Sequence, residues 1–316
     1  KSTDGKRIAA ITGDQACAES MVALKDFMSA LGSPHVDCRQ DGAKLDAKVR
    51  SSYLFNTTIA CVEDADACLL IGTNPRWEAA LVNARLRKRY LGGGFRILSV
   101  GPELDLTFPV ENLGTGPDTL ISIMNGTNEA AQVLANAERP MMIIGQGALA
   151  RVDGSAVLGT AYHIAKNCNV VRDGWNGFNV LHTAAARVAG LDLGLVPGEG
   201  GRDVSGIIAG AAKGEIDVVF LLGADEINVS GMGEAFVIYI GHHGDAGAGR
   251  ADVVLPGAAY VEKNATWVNT EGRVQLGQRA VFPPGDARED WTIIRALSDV
   301  VGCPLPYDDI FSVRKR

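Results

Sequence analysis

The sequence predicts an α/β fold of two Rossmann-like, doubly wound lobes with mainly parallel sheets, and three observations carry that reading. Short apolar runs closed by glycine alternate with helices whose apolar residues recur on one face. Glycine is abundant, 38 of 316 residues, as a fold with many strand-to-helix turns requires. Residues 216–225, IDVVFLLGAD, echo residues 65–74, ADACLLIGTN: an acid, an apolar strand, then glycine. Each lobe is therefore expected to carry its own sheet, and the length suits a division into residues 1–138 and 139–316.

Taken in order, residues 8–12 are an apolar run that turns at Gly13 and Asp14 into a helix with Met21, Leu24, Met28 and Leu31 on one face. Gly32, Ser33 and Pro34 end it, and the polar stretch to Lys48 has no periodicity. Residues 67–71 read as a buried strand, Gly72 as its turn, Asn74 as a cap and Pro75 as the first residue of a helix running to about Tyr90. That helix ends in a basic cluster, Arg85, Arg87, Lys88 and Arg89, which is either a solvated helix end or a docking patch for an acidic neighbour. Residues 95–100 form the next strand, and helices are expected at 118–126 and 128–137. A break at Arg139 and Pro140 marks the lobe boundary, beyond which 141–144 begin a second series. A helix over 155–166 places Val157, Ala161 and Ile164 on one face, and 169–171 reads as a strand. Later strands are expected at 218–222, 237–240, 253–255 and 267–268, with a closing helix over 287–301.

Charged residues are 21% and hydrophobic ones 47%, which excludes a disordered chain, and the net charge of −7 argues against a general nucleic-acid or anionic-membrane surface. No apolar run approaches the roughly 20 residues of a membrane helix, so direct membrane insertion is not expected. The opening KSTDGKR and the closing YDDIFSVRKR read like the edges of a piece of a longer polypeptide. Six cysteines, at 17, 38, 61, 68, 168 and 303, lack the spacing of an iron–sulfur or zinc site and read as reduced, mostly buried thiols.

Residues 251–275, ADVVLPGAAYVEKNATWVNTEGRVQ, concentrate hydrogen-bonding side chains behind a strand: Glu262, Lys263, Asn264, Thr266, Asn269, Glu271 and Arg273. From residue types alone, such a loop either meets a ligand or a partner, or locks itself together. The pattern A-D-V-V-L-P, then E-K, then T-x-x-N-x-E-G-R-x-Q resembles the signature of the molybdopterin oxidoreductase family. Together with LLIGTNPR at 69–76, GDQACAESMVALK at 13–25, GHHGD at 241–245, VFPPGDAREDWTIIRALS at 281–298 and LPYDD at 305–309, it is similar to the large iron–sulfur subunits of respiratory complex I, the NADH-quinone oxidoreductase of bacteria. The resemblance covers nearly the whole chain, but only the molybdopterin-oxidoreductase-like part of such a subunit.

That resemblance implies electron transfer from NADH to quinone by the intact complex, with iron–sulfur clusters in an N-terminal portion absent here. It also implies partners among the other peripheral-arm subunits, and a peripheral position on the cytoplasmic side of a bacterial inner membrane or the matrix side of a mitochondrial one. The segment itself departs from working molybdopterin enzymes. Asp245, Ala246, Gly247 and Ala248 stand where those have a T-x-T-A pattern, and Ala265 stands where they tend to have glycine. Donors to a pterin or phosphate are lost, and Asp245 would repel an anion. The expectation is a scaffold without catalytic residues, cofactor or metal of its own. Its vestigial groove would be marked by Gly72, Thr73, Asn74, Gly223, Asp225, Asp245, Glu262, Thr266, Asn269 and Arg273. Two alternatives stand: a molybdopterin-dependent oxidoreductase domain with bound cofactor, and a residual anion or nucleotide site at the strand-end turns. His242 and His243, being adjacent, seldom aim both rings at one ion, and Glu262, Glu271 and Arg273 read as an internal ion pair rather than an acid/base set.

Overall fold

A computed structural model describes residues 3–316 and divides them into two compact units. The first comprises the chain up to Gly42, Ala184–Asn269 and Arg273–Arg316; the second comprises Ala43–Thr183 and Thr270–Gly272. The units are therefore not the sequential halves 1–138 and 139–316. Residue 138 falls between Ala67–Ile71 and Pro140–Gly145, which are neighbouring strands of one sheet. The break at Arg139 and Pro140 is no linker: the Asp66 carboxylate accepts hydrogen bonds from the Glu138 and Arg139 amides, both at 2.7 Å, and aligns the incoming strand.

The first unit holds a five-stranded, wholly parallel sheet in the order Val253–Pro256, Phe236–Gly241, Val218–Leu222, Ile8–Thr12, His35–Asp37. Alternate residues of Val218–Leu222 face opposite sides. Val219 and Leu221 pack with Ile207 of helix Val204–Ala212 and with Val237. On the other side Phe220 meets Phe27 of helix Ala18–Ala30 edge to face, ring centroids 5.5 Å apart. That helix buries Met21, Leu24 and Met28, as its spacing predicts, and packs against helix Asp290–Val301. The strand Val253–Pro256, whose apolar run predicts burial, is instead a sheet edge with Val253 and Val254 exposed. Pro256, which has no N–H to offer, is tolerated there.

The second unit holds another wholly parallel sheet, Glu111–Asn112, Arg96–Val100, Ala67–Ile71, Pro140–Gly145, Phe178–Leu181. Cys68, Leu70, Ile97, Met141 and Ile143 form one core with Val82 and Leu86 of helix Ala80–Leu91. The helix expected from 75 to about 90 is in fact two, Pro75–Glu78 and Ala80–Leu91, with Ala79 out of helical geometry at φ −155°. Beside the break, Glu78 turns back on its own N-terminus, as described below. The strand expected at 169–171 is displaced to Val171–Arg172, paired with Trp175–Asn176, because Asn169 takes a left-handed φ of 54°. The basic cluster on helix Ala80–Leu91 serves its own unit in part: Arg85 and Lys88 both pair with Glu63, and Arg89 donates to the Ala65 and Gly93 carbonyls.

Candidate functional site

In doubly wound sheets ligands sit beyond the carboxyl ends of the strands, at the point where strand order reverses. In the first unit that point lies between Ile8–Thr12 and Val218–Leu222, and in the second between Ala67–Ile71 and Pro140–Gly145. Glycines meet at both. A Cβ on Gly13 would stand 1.7 Å from the Gly223 carbonyl oxygen, and one on Gly145 would stand 2.5 Å from that of Gly72. Gly223 and Gly72 both have positive φ, 59° and 53°. The internal echo of sequence is thus an echo of structure.

Each unit has a cavity at these strand ends. That of the first is about 390 Å³ and is lined by Asp14, Gly223, Asp225, Glu226, Tyr239, His242, His243, Asp245, Lys263 and Asp290 among others. The Asp225 carboxylate accepts the Tyr239 hydroxyl at 2.8 Å and the Gly247 amide at 3.0 Å. Burial, reinforced by that hydrogen bond to Asp225, pushes the Tyr239 phenol up. Burial also raises Asp14, against the pull of Arg187. Lys263, buried, pairs with Asp290 at 2.7 Å; burial works to lower its pKa, but Asp290 more than offsets this and the net shift is upward. Asp290 also accepts from the Ser20 hydroxyl, which contacts the Cys17 thiol at 3.0 Å. Burial lifts that thiol to about 11. The His242 and His243 rings lie edge to face 4.6 Å apart, and burial, then His243, lowers His242. Among the described residues no group of three His, Cys, Asp or Glu is arranged to hold a metal ion.

The second unit's cavity is about 420 Å³, with Gly72, Thr73, Asn74, Glu78, Ser99, Leu120, Arg151, Asp153 and Val157 in its wall. At its turn the Thr73 hydroxyl donates to one Glu78 carboxylate oxygen at 2.7 Å, and the Asn74 amide donates to the other at 2.9 Å. Both donors are thus bonded to the chain's own carboxylate.

Of the sequence-marked residues, Gly72, Thr73 and Asn74 line the second unit's cavity, and Gly223, Asp225 and Asp245 that of the first. The other four hold backbone in place. Glu262 accepts the Ala259 amide at 2.8 Å, and Thr266 gives its amide and hydroxyl to Glu19. Asn269 and Arg273 close the hairpin of Ala265–Val268 with Val274–Gly277 by exchanging bonds at 2.9 and 3.0 Å. Glu271 accepts the Ile59 amide within the second unit. Sequence reasoning missed Glu78, Glu19 and Asp290. An acid five residues beyond Thr73 was the available signal for the first; the other two act across long separations that one sequence does not display.

The chain matches the molybdopterin oxidoreductase family over residues 1–300. It is 45% identical over 312 residues to the mitochondrial NADH dehydrogenase [ubiquinone] iron-sulfur protein 1 of Solanum tuberosum, covering 98% of this chain and 41% of that protein. It is 42% identical over 326 residues to the NADH-ubiquinone oxidoreductase 75 kDa subunit of Reclinomonas americana, covering 99% of this chain and 47% of that one. The chain thus spans less than half the length of these relatives. Among solved structures, acetylene hydratase from Pelobacter acetylenicus aligns with a TM-score of 0.69 at 13% identity, over 96% of this chain and 57% of that one. A chain of the formyltransferase/hydrolase complex from Methylorubrum extorquens aligns at 0.65 and 17%, over 93% and 91%. At such identities the likeness is one of fold.

Proposed function

Because the chain belongs to the molybdopterin oxidoreductase family, we propose that it is the family's domain within the large iron–sulfur subunit of NADH-quinone oxidoreductase, retained as a scaffold after loss of its pterin site. In this reading the clusters that carry electrons from NADH towards quinone belong to another portion of the subunit. The present surfaces hold other peripheral-arm subunits on the cytoplasmic or matrix side of the membrane. No helix among the described residues is long and apolar enough to cross a membrane, which accords with a peripheral position.

The observation that carries the loss of the site is the fate of the strand-end donors. A pterin dinucleotide brings phosphate charge, and phosphate is held by free N–H and hydroxyl donors. Here the Thr73 hydroxyl and Asn74 amide are committed to Glu78, and the Gly247 amide to Asp225. Asp14, Glu226 and Asp245 add negative wall to the first unit's cavity. These residues do not fit a phosphate-bearing cofactor. The test is metal content by mass spectrometry, with pterin fluorescence after oxidative release, on protein made in a host that synthesises molybdenum cofactor. Less than a few hundredths of an equivalent of molybdenum or tungsten is expected; near one per chain with pterin would overturn the loss. Capture of peripheral-arm subunits by the tagged chain tests the scaffold role.

A further inference from the structure

We propose that the second unit's cavity binds a small amphipathic amine: an apolar body of indole size carrying a cationic head. The proposal concerns this cavity's own walls and stands independently of the subunit assignment.

Its volume, about 420 Å³, lies within the roughly 300–1,000 Å³ of small-molecule sites. Ile71, Val100, Leu120 and Val157 give it apolar walls, so an apolar body gains by entering. Ser99 lines it, is 1% exposed, and its Oγ has no hydrogen-bond partner. A buried hydroxyl left unpaired is costly, and a ligand N–H donated to it relieves that cost.

Charge selects the head group. Arg151 is bonded twice to Asp153, at 2.7 and 2.9 Å, so neither contributes a free charge. Among the lining side chains the charge that remains is the carboxylate of Glu78, whose oxygens already hold Thr73 and Asn74, and that of Glu103, exposed in the lining. An ammonium is drawn to this field and a carboxylate or phosphate repelled.

Three probes of one shape and different charge test it by calorimetric titration of the whole chain: tryptamine, 3-ethylindole and indole-3-propionate. Tryptamine should bind saturably and roughly tenfold more tightly than indole-3-propionate, a difference of about 1.4 kcal/mol. Glu103→Lys, at an exposed position, should weaken tryptamine several-fold and narrow the gap. Val157→Trp should abolish binding of all three by filling the cavity; where it fails to fold, Glu103→Lys decides. Equal or tighter binding of indole-3-propionate, an affinity for tryptamine that Glu103→Lys leaves unchanged, or no saturable binding of tryptamine overturns the proposal. None of these outcomes bears on molybdenum content, so the two readings fail separately.

Discussion

Replacing Lys263 by methionine puts the polar lock of the first unit to a quantitative test. Lys263 and Asp290 approach to 2.7 Å with side chains only 4% and 5% exposed, so water cannot replace a lost partner. Methionine keeps the length of the lysine stem, which makes the cavity contribution small. The Asp290 carboxylate is then left with the Ser20 hydroxyl at 3.1 Å as its remaining charge-stabilising donor. Breaking a buried pair from one side costs about 3–5 kcal/mol, because an uncompensated charge stays behind. Removing both charges in Lys263→Met with Asp290→Leu should recover much of this, because no charge is left unpaired and the Ser20 hydroxyl keeps the Cys17 thiol as a partner at 3.0 Å. Because two units unfold in one chain, a single global midpoint is ambiguous. Hydrogen exchange of the amides in Asp290–Val301 and Val218–Leu222, read by mass spectrometry, reports the first unit by itself. A single variant that loses less than about 1 kcal/mol of protection, or a double variant no better than the single, would refute the reasoning.

Gly13→Ala drives a methyl against the Gly223 carbonyl and should cost about 1–3 kcal/mol or more, whereas Gly244→Ala, with nothing within 4 Å, should stay within about 0.5; hydrogen exchange of the Ile8–Thr12 and Val218–Leu222 amides compares them. His35 accepts the Arg202 amide at Nδ1 and donates from Nε2 to the Lys6 carbonyl, and burial, opposed in part by that Lys6 bond, lowers its pKa. Its unfolded form therefore takes up the proton first, so its contribution is complete above the unfolded value of about 6.5 and declines as pH falls towards the folded one. His35→Gln should flatten the fall in the first unit's stability between about pH 7.5 and 5, read from hydrogen exchange of the Ile8–Thr12 amides corrected for the intrinsic exchange rate at each pH. Burial works to raise Glu19, but the Thr266 hydroxyl and amide and the Arg314 guanidinium outweigh it and hold it low, a contribution present above about pH 4.3 and lost as pH falls through the folded pKa. Arg314→Ala should loosen helix Ile310–Lys315 in hydrogen exchange while costing the unit about 1–3 kcal/mol.

The parts of the fold legible in the sequence are those whose cause is local. Ile8–Thr12, Ala67–Ile71 and Val218–Leu222 are continuous apolar runs because both faces of a central parallel strand are covered, and each is closed by a glycine that turns the chain. The edge strands carry less of that signature. His35–Asp37 is three residues with polar ends and reads as loop, although all three are buried. The division into units is not legible because the chain leaves the first unit at Gly42 and returns at Ala184, and neither point has a composition shift. The candidate site is half legible. The strand-glycine pattern finds the turn residues, while the polar loop at 262–273 promises more than it holds, since its side chains answer backbone amides, Glu19 and Asp290.

The glycine pairs explain how a strand-end turn can outlast the ligand it resembles a site for. Gly145 has no room for a side chain because the Gly72 carbonyl lies against it, and Gly13 has none because of Gly223. These contacts bring adjacent strands of each sheet to their closing distance, and they hold whether or not anything occupies the cavity beyond. The N–H and hydroxyl groups at these strand ends still need acceptors, and the chain's own carboxylates supply them without any ligand: Glu78 takes the Thr73 hydroxyl and Asn74 amide in the second unit, and Asp225 takes the Gly247 amide in the first. A glycine turn at a switch point is therefore demanded by packing, and only the commitments of its donors say whether it is a site. On that criterion Glu78→Ala is the informative change. It frees the Thr73 hydroxyl and Asn74 amide, so the second unit should lose about 1.5–3 kcal/mol of stability for the charge-assisted bonds removed. Helix Ala80–Leu91, released from the kink at Ala79, should extend towards Pro75, a gain readable in its amide exchange. A variant that keeps both its stability and the break at Ala79 would show that the carboxylate is not what holds the turn.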